Sequence, residues 1–121
     1  MAFRFENLEV WHLAITYASS VYKITKKFPK AETFGLTQQV RRAAISVALN
    51  IAEGSSRNSN RDFKRFLNIA ASSISEVLTG FAIALEQKYI CKGDYKNIYR
   101  ESEFLIKKIT ALANSLRMHP K

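Results

Sequence analysis

Apolar residues recur at helical spacing in four separate stretches of this chain. The first runs from about Leu8 to Phe28. There Leu8, Trp11, Ala14, Ile15, Ala18, Val21, Tyr22, Thr25 and Phe28 fall at i, i+3, i+4 and i+7 intervals and predict one buried stripe. Pro29 should end it, because its ring removes a backbone donor and pushes the preceding residue away from helical geometry. The second stretch, about Leu36 to Glu53, places Val40, Ala43, Ala44, Val47, Ala48 and Ile51 on one face, with small residues that permit close approach of a neighbour. Asn50, Glu53 and Gly54 read as a structural turn signal, Gly54 closing the helix in the left-handed conformation. Side chains of Ser55, Ser56, Asn58, Ser59 and Asn60 compete for the backbone and should keep the chain turning.

The third stretch, about Asn60 to Lys88, is the longest. Ser59 with Asp62 resembles a capping box with a shortened acid. Phe63, Phe66, Leu67, Ala70, Ile74, Val77, Leu78, Phe81 and Leu85 make a sustained stripe, widened by Ile69, Ser73, Gly80 and Ile83. Such width predicts a central helix, or one that also meets another subunit. The fourth stretch, about Asp94 to Leu116, has Asp94 as its expected N-cap and repeats Ile98, Leu105, Ile109, Leu112 and Leu116, with Phe104 and Ile106 flanking. Residues 117–121 read as a frayed end.

Four such patterns joined by short loops predict an all-α fold, an up-down-up-down antiparallel four-helix bundle, as a single domain over residues 1–121. VALNIA and FAIALE lack the strict alternation of strands. Only four Gly and two Pro interrupt the chain, which suits long helices. No apolar run approaches the ~18 residues of a membrane span, and Arg4, Glu6 and Glu9 break up the N-terminus, so neither a membrane association nor a signal peptide is expected. The single cysteine, Cys91, cannot form an intramolecular disulfide. It fits a reducing cytoplasm and reads as a small, partly buried residue beside a turn.

Charge changes the picture more. Nineteen Lys and Arg against ten Asp and Glu leave a formal +9. Self-repulsion makes this costly unless something negative offsets it, so nucleic acid or an acidic partner is implied. Six basic residues fall within positions 41–65: Arg41, Arg42, Arg57, Arg61, Lys64 and Arg65. Arg61 and Arg65 share a helical face with Lys64 beside it, and Arg57 precedes them in the turn. In an antiparallel hairpin Arg41 and Arg42 lie at the far end, so the six form two groups. Phosphate contacts from such groups give salt-dependent affinity with little sequence selectivity. Glu53, amid Arg42, Arg57 and Arg61, is expected to form an ion pair that positions the turn. Phe63 and Phe66 fall on the apolar stripe, which favours packing over a platform for bases.

Catalytic machinery is not visible. His12 and His119 have no His or Cys at metal-ligand spacing, Glu76 and Glu86 are ten apart, and Glu-x-x-His, Walker and GxGxxG motifs are missing. No catalytic residue, cofactor or metal is expected, and the protein reads as a binding module rather than an enzyme.

Several segments together resemble a known family. LEVW at 8–11, YKITKKFPKAETFGLTQQVRRAAISVALNIAEG at 22–54, SNRDFKRFLNIAASSISEV at 59–77 and ALEQKYI at 84–90 are similar to the bacterial proteins first noticed in intervening sequences of 23S ribosomal RNA genes. The pattern matches at Leu36, Gln39, Arg41, Arg42, Asn50, Ile51, Ala52, Glu53, Gly54, Arg57, Ser59, Phe63, Arg65, Phe66 and Leu67. It departs at Ala48, where a helix-bending Pro is common, at Asp62 for Glu, and at Ser72 for Gly. The resemblance implies a four-helix bundle without established enzymatic activity. It also implies kinship with the accessory variability protein of diversity-generating retroelements, a basic, ring-like pentamer that binds nucleic acid and its reverse transcriptase. On that basis a homo-oligomer, a pentamer by resemblance, is expected. The leading expectation is nucleic-acid or nucleoprotein binding. The alternative is a structural scaffold for a protein partner.

Overall fold

The computed structural model describes residues 2–117. Helices α1 (Glu9–Thr25), α2 (Leu36–Ser55), α3 (Asn60–Glu86) and α4 (Lys92–Ser115) run alternately up and down, each packed against its two neighbours in an antiparallel bundle. One-turn 3-10 helices at Arg4–Asn7 and Lys30–Glu32 precede α1 and α2.

Local chemistry sets the helix limits and adjusts the expected ones. α1 stops at Thr25, short of Phe28. The amides of Lys27 and Phe28 fall back on Ile24 and Thr25 in a tightened turn, and Pro29 adopts extended geometry. The Thr25 hydroxyl donates to the carbonyls of Val21 and Tyr22, and Arg41 adds a cation at this carbonyl-rich end. α2 continues through Gly54 to Ser55, and no glycine has positive φ. Gly54 is needed for space instead. A Cβ there would stand 2.7 Å from Phe66 Cβ and 2.9 Å from Phe63 Cδ1. α3 starts where expected, with the Ser59 hydroxyl accepting from the Asp62 amide at 3.1 Å. The reciprocal arm of the box does not form, because the short Asp62 carboxylate faces Arg65.

The α3–α4 link differs most from expectation. Lys88 is the one non-glycine residue with positive φ among those described, at 63°. Its amide donates to Leu85, and that of Tyr89 to Ala84 at 2.8 Å, so a Schellman closure ends α3 without glycine. α4 then begins at Lys92, with Cys91 rather than Asp94 as N-cap. Asp94 sits three residues in and completes a reciprocal box: its amide donates to Cys91 Sγ and its carboxylate accepts from the Cys91 amide, both at 3.4 Å. Cys91 is therefore exposed, not partly buried.

The core follows the expected stripes on α2, α3 and α4, with Val40, Val47, Ile51, Phe63, Leu67, Ile74, Phe81, Ile98, Leu105 and Ile109 buried. On α1 the buried face is rotated. It comprises Val10, Ala14, Tyr17, Val21 and Thr25, whereas Ile15 and Tyr22 remain 45% and 38% exposed. Two polar-tipped residues can face inward because each hydroxyl has a partner. Tyr17 shares a 2.7 Å hydrogen bond with Ser102, and burial pushes the phenol well above its ordinary titration range. α3 is by length and composition apolar enough to cross a membrane. In the bundle its stripe is buried against α2 and α4.

Candidate nucleic-acid interface

The turn between α2 and α3 brings two aromatic rings of different exposure to one end of the bundle. Phe63 is buried and Phe66 is half-buried, three residues along the same helix. Close packing at Gly54 draws both toward the end of α2. The Arg57 and Arg65 guanidinium carbons lie 4.7 and 4.6 Å from the Phe66 centroid. The ring thus holds two cations within about 9 Å of each other. Each is steadied by a surface acid, Arg57 by Glu53 at 3.2 Å and Arg65 by Asp62 at 3.8 Å. Both pairs are exposed and contribute little stability, so either arginine can exchange its carboxylate for a phosphate at small cost. Arg61 is exposed and Lys64 half-buried on the same turns, and neither has an ion-pair partner among the described residues.

The sequence pattern gave no sign of Arg4 here. Its guanidinium carbon lies 4.9 Å from the Phe63 centroid, bringing the N-terminal segment onto the same end. Only tertiary proximity of residues 4 and 63 reveals this, since nothing in the local spacing around Arg4 marks it. Asn60 joins the C-terminal segment to this end, its side-chain amide donating to the Arg117 carbonyl at 2.8 Å.

Arg41 and Arg42 lie near the start of α2, at the other end. Arg41 is occupied within the fold: its Nε donates to Thr25 Oγ1 at 2.8 Å, and its guanidinium stacks 4.5 Å from the Tyr22 centroid. Arg42 is exposed. Asn50 is inside α2 rather than in the turn, because its amide donates to Ser46 Oγ and the Ser46 carbonyl at 2.9 and 2.8 Å. Ser46 in turn bonds Ser73 of α3 at 3.0 Å, so Asn50 braces the α2–α3 seam. Glu53 forms an ion pair, with Arg57 its partner rather than Arg42 or Arg61.

The remaining candidates for chemistry have structural partners. His12 Nε2 lies 2.7 Å from the Glu6 carbonyl, and Cys91 caps α4. His119 lies outside the described residues. Among those described, no group of three or more His, Cys, Asp or Glu could hold a metal. Lys27 bonds both oxygens of Asp94 at 2.9 and 3.0 Å. That hydrogen bond holds the Asp94 carboxyl below its ordinary value and lifts the Lys27 ammonium above its own.

This arrangement of pinned arginines and half-exposed aromatic surface is suited to gripping anions. The model of a protein family described as "23S rRNA-intervening sequence protein" matches residues 6–111. The chain belongs to that family. The match to the intervening-sequence proteins spans α1, α2, α3 and most of α4, and includes Glu53, Gly54, Arg57, Phe63, Arg65 and Phe66. Arg4 falls just before it. A solved structure from Bacteroides thetaiotaomicron, described as a protein with unknown function from the S23 ribosomal protein family, is similar in fold. It aligns with a TM-score of 0.77 and 23% identity over 88% of this chain and 99% of that one. No curated protein matches the chain.

Proposed function

We propose that this intervening-sequence family member is a non-enzymatic, homo-oligomeric helical bundle that binds structured RNA or DNA, or a nucleoprotein, through arginine and lysine contacts to phosphate. The observation that carries the reading is the Phe66 ring with Arg57 and Arg65 against it. A guanidinium held on a ring loses less freedom on meeting phosphate than a free one, and its fork can bind two oxygens at once. Arg4, Arg61 and Lys64 widen the positive surface around this pair. A surface of phosphate contacts fixes position without reading sequence.

A scaffold role is the second reading, favoured by large apolar residues left exposed on α1 and α2. Ile15, Tyr22, Ile45 and Leu49 are exposed on α1 and α2, and Leu49 is 63% accessible. Burial between copies would serve self-assembly in either reading, so an oligomer alone does not separate them.

The test is fluorescence anisotropy of nuclease-treated protein with labelled structured RNA and duplex DNA. The triple substitution Arg57→Ala, Arg61→Ala and Arg65→Ala should weaken binding equally across sequences, with helicity unchanged. Retained affinity in a folded variant would rule out this surface. No binding of wild-type protein even at low salt would favour the scaffold.

A further inference from the structure

A second charged feature lies away from the Arg57 cluster, in the seam between the C-terminal half of α1 and the N-terminal half of α4. A cavity of about 550 Å³ opens there, lined by Lys23 from α1, by Lys27 from the turn that follows it, and by Asn97, Arg100, Asp94 and Glu101 from α4. Its size falls within the range of small-molecule sites, roughly 300–1,000 Å³. Ile24 adds an apolar patch.

The acids in this cavity are already engaged. Asp94 accepts both hydrogen bonds from Lys27 and the Cys91 amide, and Glu101 accepts from the Ser20 hydroxyl at 2.9 Å. The cations are less so. Lys23 and Arg100 are exposed and have no ion-pair partner among the described residues. They come from different helices and meet at one opening, whose two sides are braced by the Tyr17–Ser102 and Lys27–Asp94 bonds. Three cations against two occupied carboxylates leave the lining net positive.

We infer that the α1–α4 cavity is a binding site for a phosphate monoester carried on a ribose-sized polyol. Lys23 supplies a point charge and Arg100 a two-pronged donor, a combination that suits a dianionic group with three free oxygens better than a single carboxylate. A bare phosphate would leave most of the cavity open. The body of the ester occupies the remainder. Its hydroxyls donate to the unused lone pairs of Asp94 and Glu101, and the Asn97 amide hydrogen-bonds either the ester or the sugar. Two sources present this chemistry: a free nucleoside monophosphate or sugar phosphate, and the 5′-terminal phosphate of a nucleic-acid strand. The site uses none of Arg57, Arg61 or Arg65, so it stands or falls apart from the proposed interface.

Isothermal titration and NMR chemical-shift mapping with ribose 5-phosphate, adenosine 5′-monophosphate and unphosphorylated ribose test it. The two phosphate esters should bind saturably and shift the amides of residues 20–27 and 94–101, and ribose should not bind. The double variant Lys23→Ala and Arg100→Ala should lose at least about tenfold in affinity. Lys26→Ala, which removes an exposed charge at the C-cap of α1 outside the cavity lining, should leave affinity within about twofold. Circular dichroism checks that the variants fold, and exposed Lys23 and Arg100 are tolerant positions. A 5′-phosphorylated oligonucleotide compared with its 5′-hydroxyl counterpart assigns the source. Preference for the phosphorylated strand that vanishes in the double variant makes the strand end a ligand, and equal binding of the two strands leaves the free ester as the ligand. No saturable binding of either ester at about 10 mM would overturn the proposal. So would an equal loss from Lys26→Ala and the double variant, which would indicate unlocalised charge.

Discussion

The α2–α3 seam and the α1–α4 seam are built on opposite plans. Between α2 and α3 the contact is close and made by small residues. A Cβ on Gly80 would collide with Val40, one on Gly54 would meet Phe63 and Phe66, and Ser46 and Ser73 bond across the gap. Between α1 with the turn after it and α4, polar ties are spaced along the seam: Glu9–Lys108 at 3.3 Å, Tyr17–Ser102, Ser20–Glu101 and Lys27–Asp94. Small residues bring backbones together and gain dispersion over the whole seam. Discrete polar ties fix register but leave room between them, and the cavity lies in that room. One seam therefore contributes rigidity and presents the Phe66 arginines from a firm base. The other supplies an opening.

The largest effect should come from overfilling the tight seam. Gly80→Val adds bulk against Val40 and should cost about 3 kcal/mol, the upper end of overpacking penalties, although valine exceeds glycine in helix propensity. Urea denaturation measures it, and a neutral result would mean that α2 and α3 can separate freely.

Next is the buried tie of the open seam. Tyr17→Phe leaves Ser102, which is fully buried, without its partner and should cost about 1–2 kcal/mol. Adding Ser102→Ala should recover part of that loss. A double-mutant cycle with no coupling would remove the hydroxyl pair from the account.

A smaller gain should follow from Lys88→Gly. Lys88 holds a left-handed conformation where glycine is unstrained, so stability should rise by about 1 kcal/mol in the same denaturation assay. A decrease would mean that the Lys88 side chain contributes more than its backbone strain costs.

The smallest effect is the pH dependence of the Lys27–Asp94 tie. Asp94 titrates lower in the folded protein, so its contribution is complete above the ordinary value of 3.8 and is lost as pH falls through the depressed one. Lys27 titrates higher when folded, so its contribution is complete below 10.5 and is lost as pH rises through the raised value. Thermal melts of wild type and Lys27→Met should therefore differ near neutrality and converge at acid pH. A constant difference down to pH 2 would deny the pair a role.

Much of the fold was legible because three of the four helices carry a single dominant apolar stripe. The matches on α2 and α3 come from residues such as Val47 and Ile74, whose burial follows directly from periodicity. α1 carries two overlapping stripes, and choosing between them needs Ser102, which lies 85 residues away. Gly54 was readable as a special position, but the reason lies in Phe63 and Phe66 across the seam rather than in its own dihedral angles. Ends closed by unusual residues, Lys88 in a Schellman turn and Cys91 as a cap, follow no strong compositional preference. For the candidate site, helical spacing grouped Arg61, Lys64 and Arg65. It could not show that Phe66 pins Arg57 and Arg65, that Arg4 joins them, or that Lys23 and Arg100 face one cavity.

The most direct test of the Phe66-pinned arginines as a phosphate surface is the salt dependence of duplex DNA binding. The slope of log affinity against log salt should be steep for wild type and shallower by about two to three in the Arg57→Ala, Arg61→Ala, Arg65→Ala variant, since each phosphate contact contributes roughly 0.9. An unchanged slope in a folded variant would contradict the account, because the counterions released on binding would then belong to contacts elsewhere.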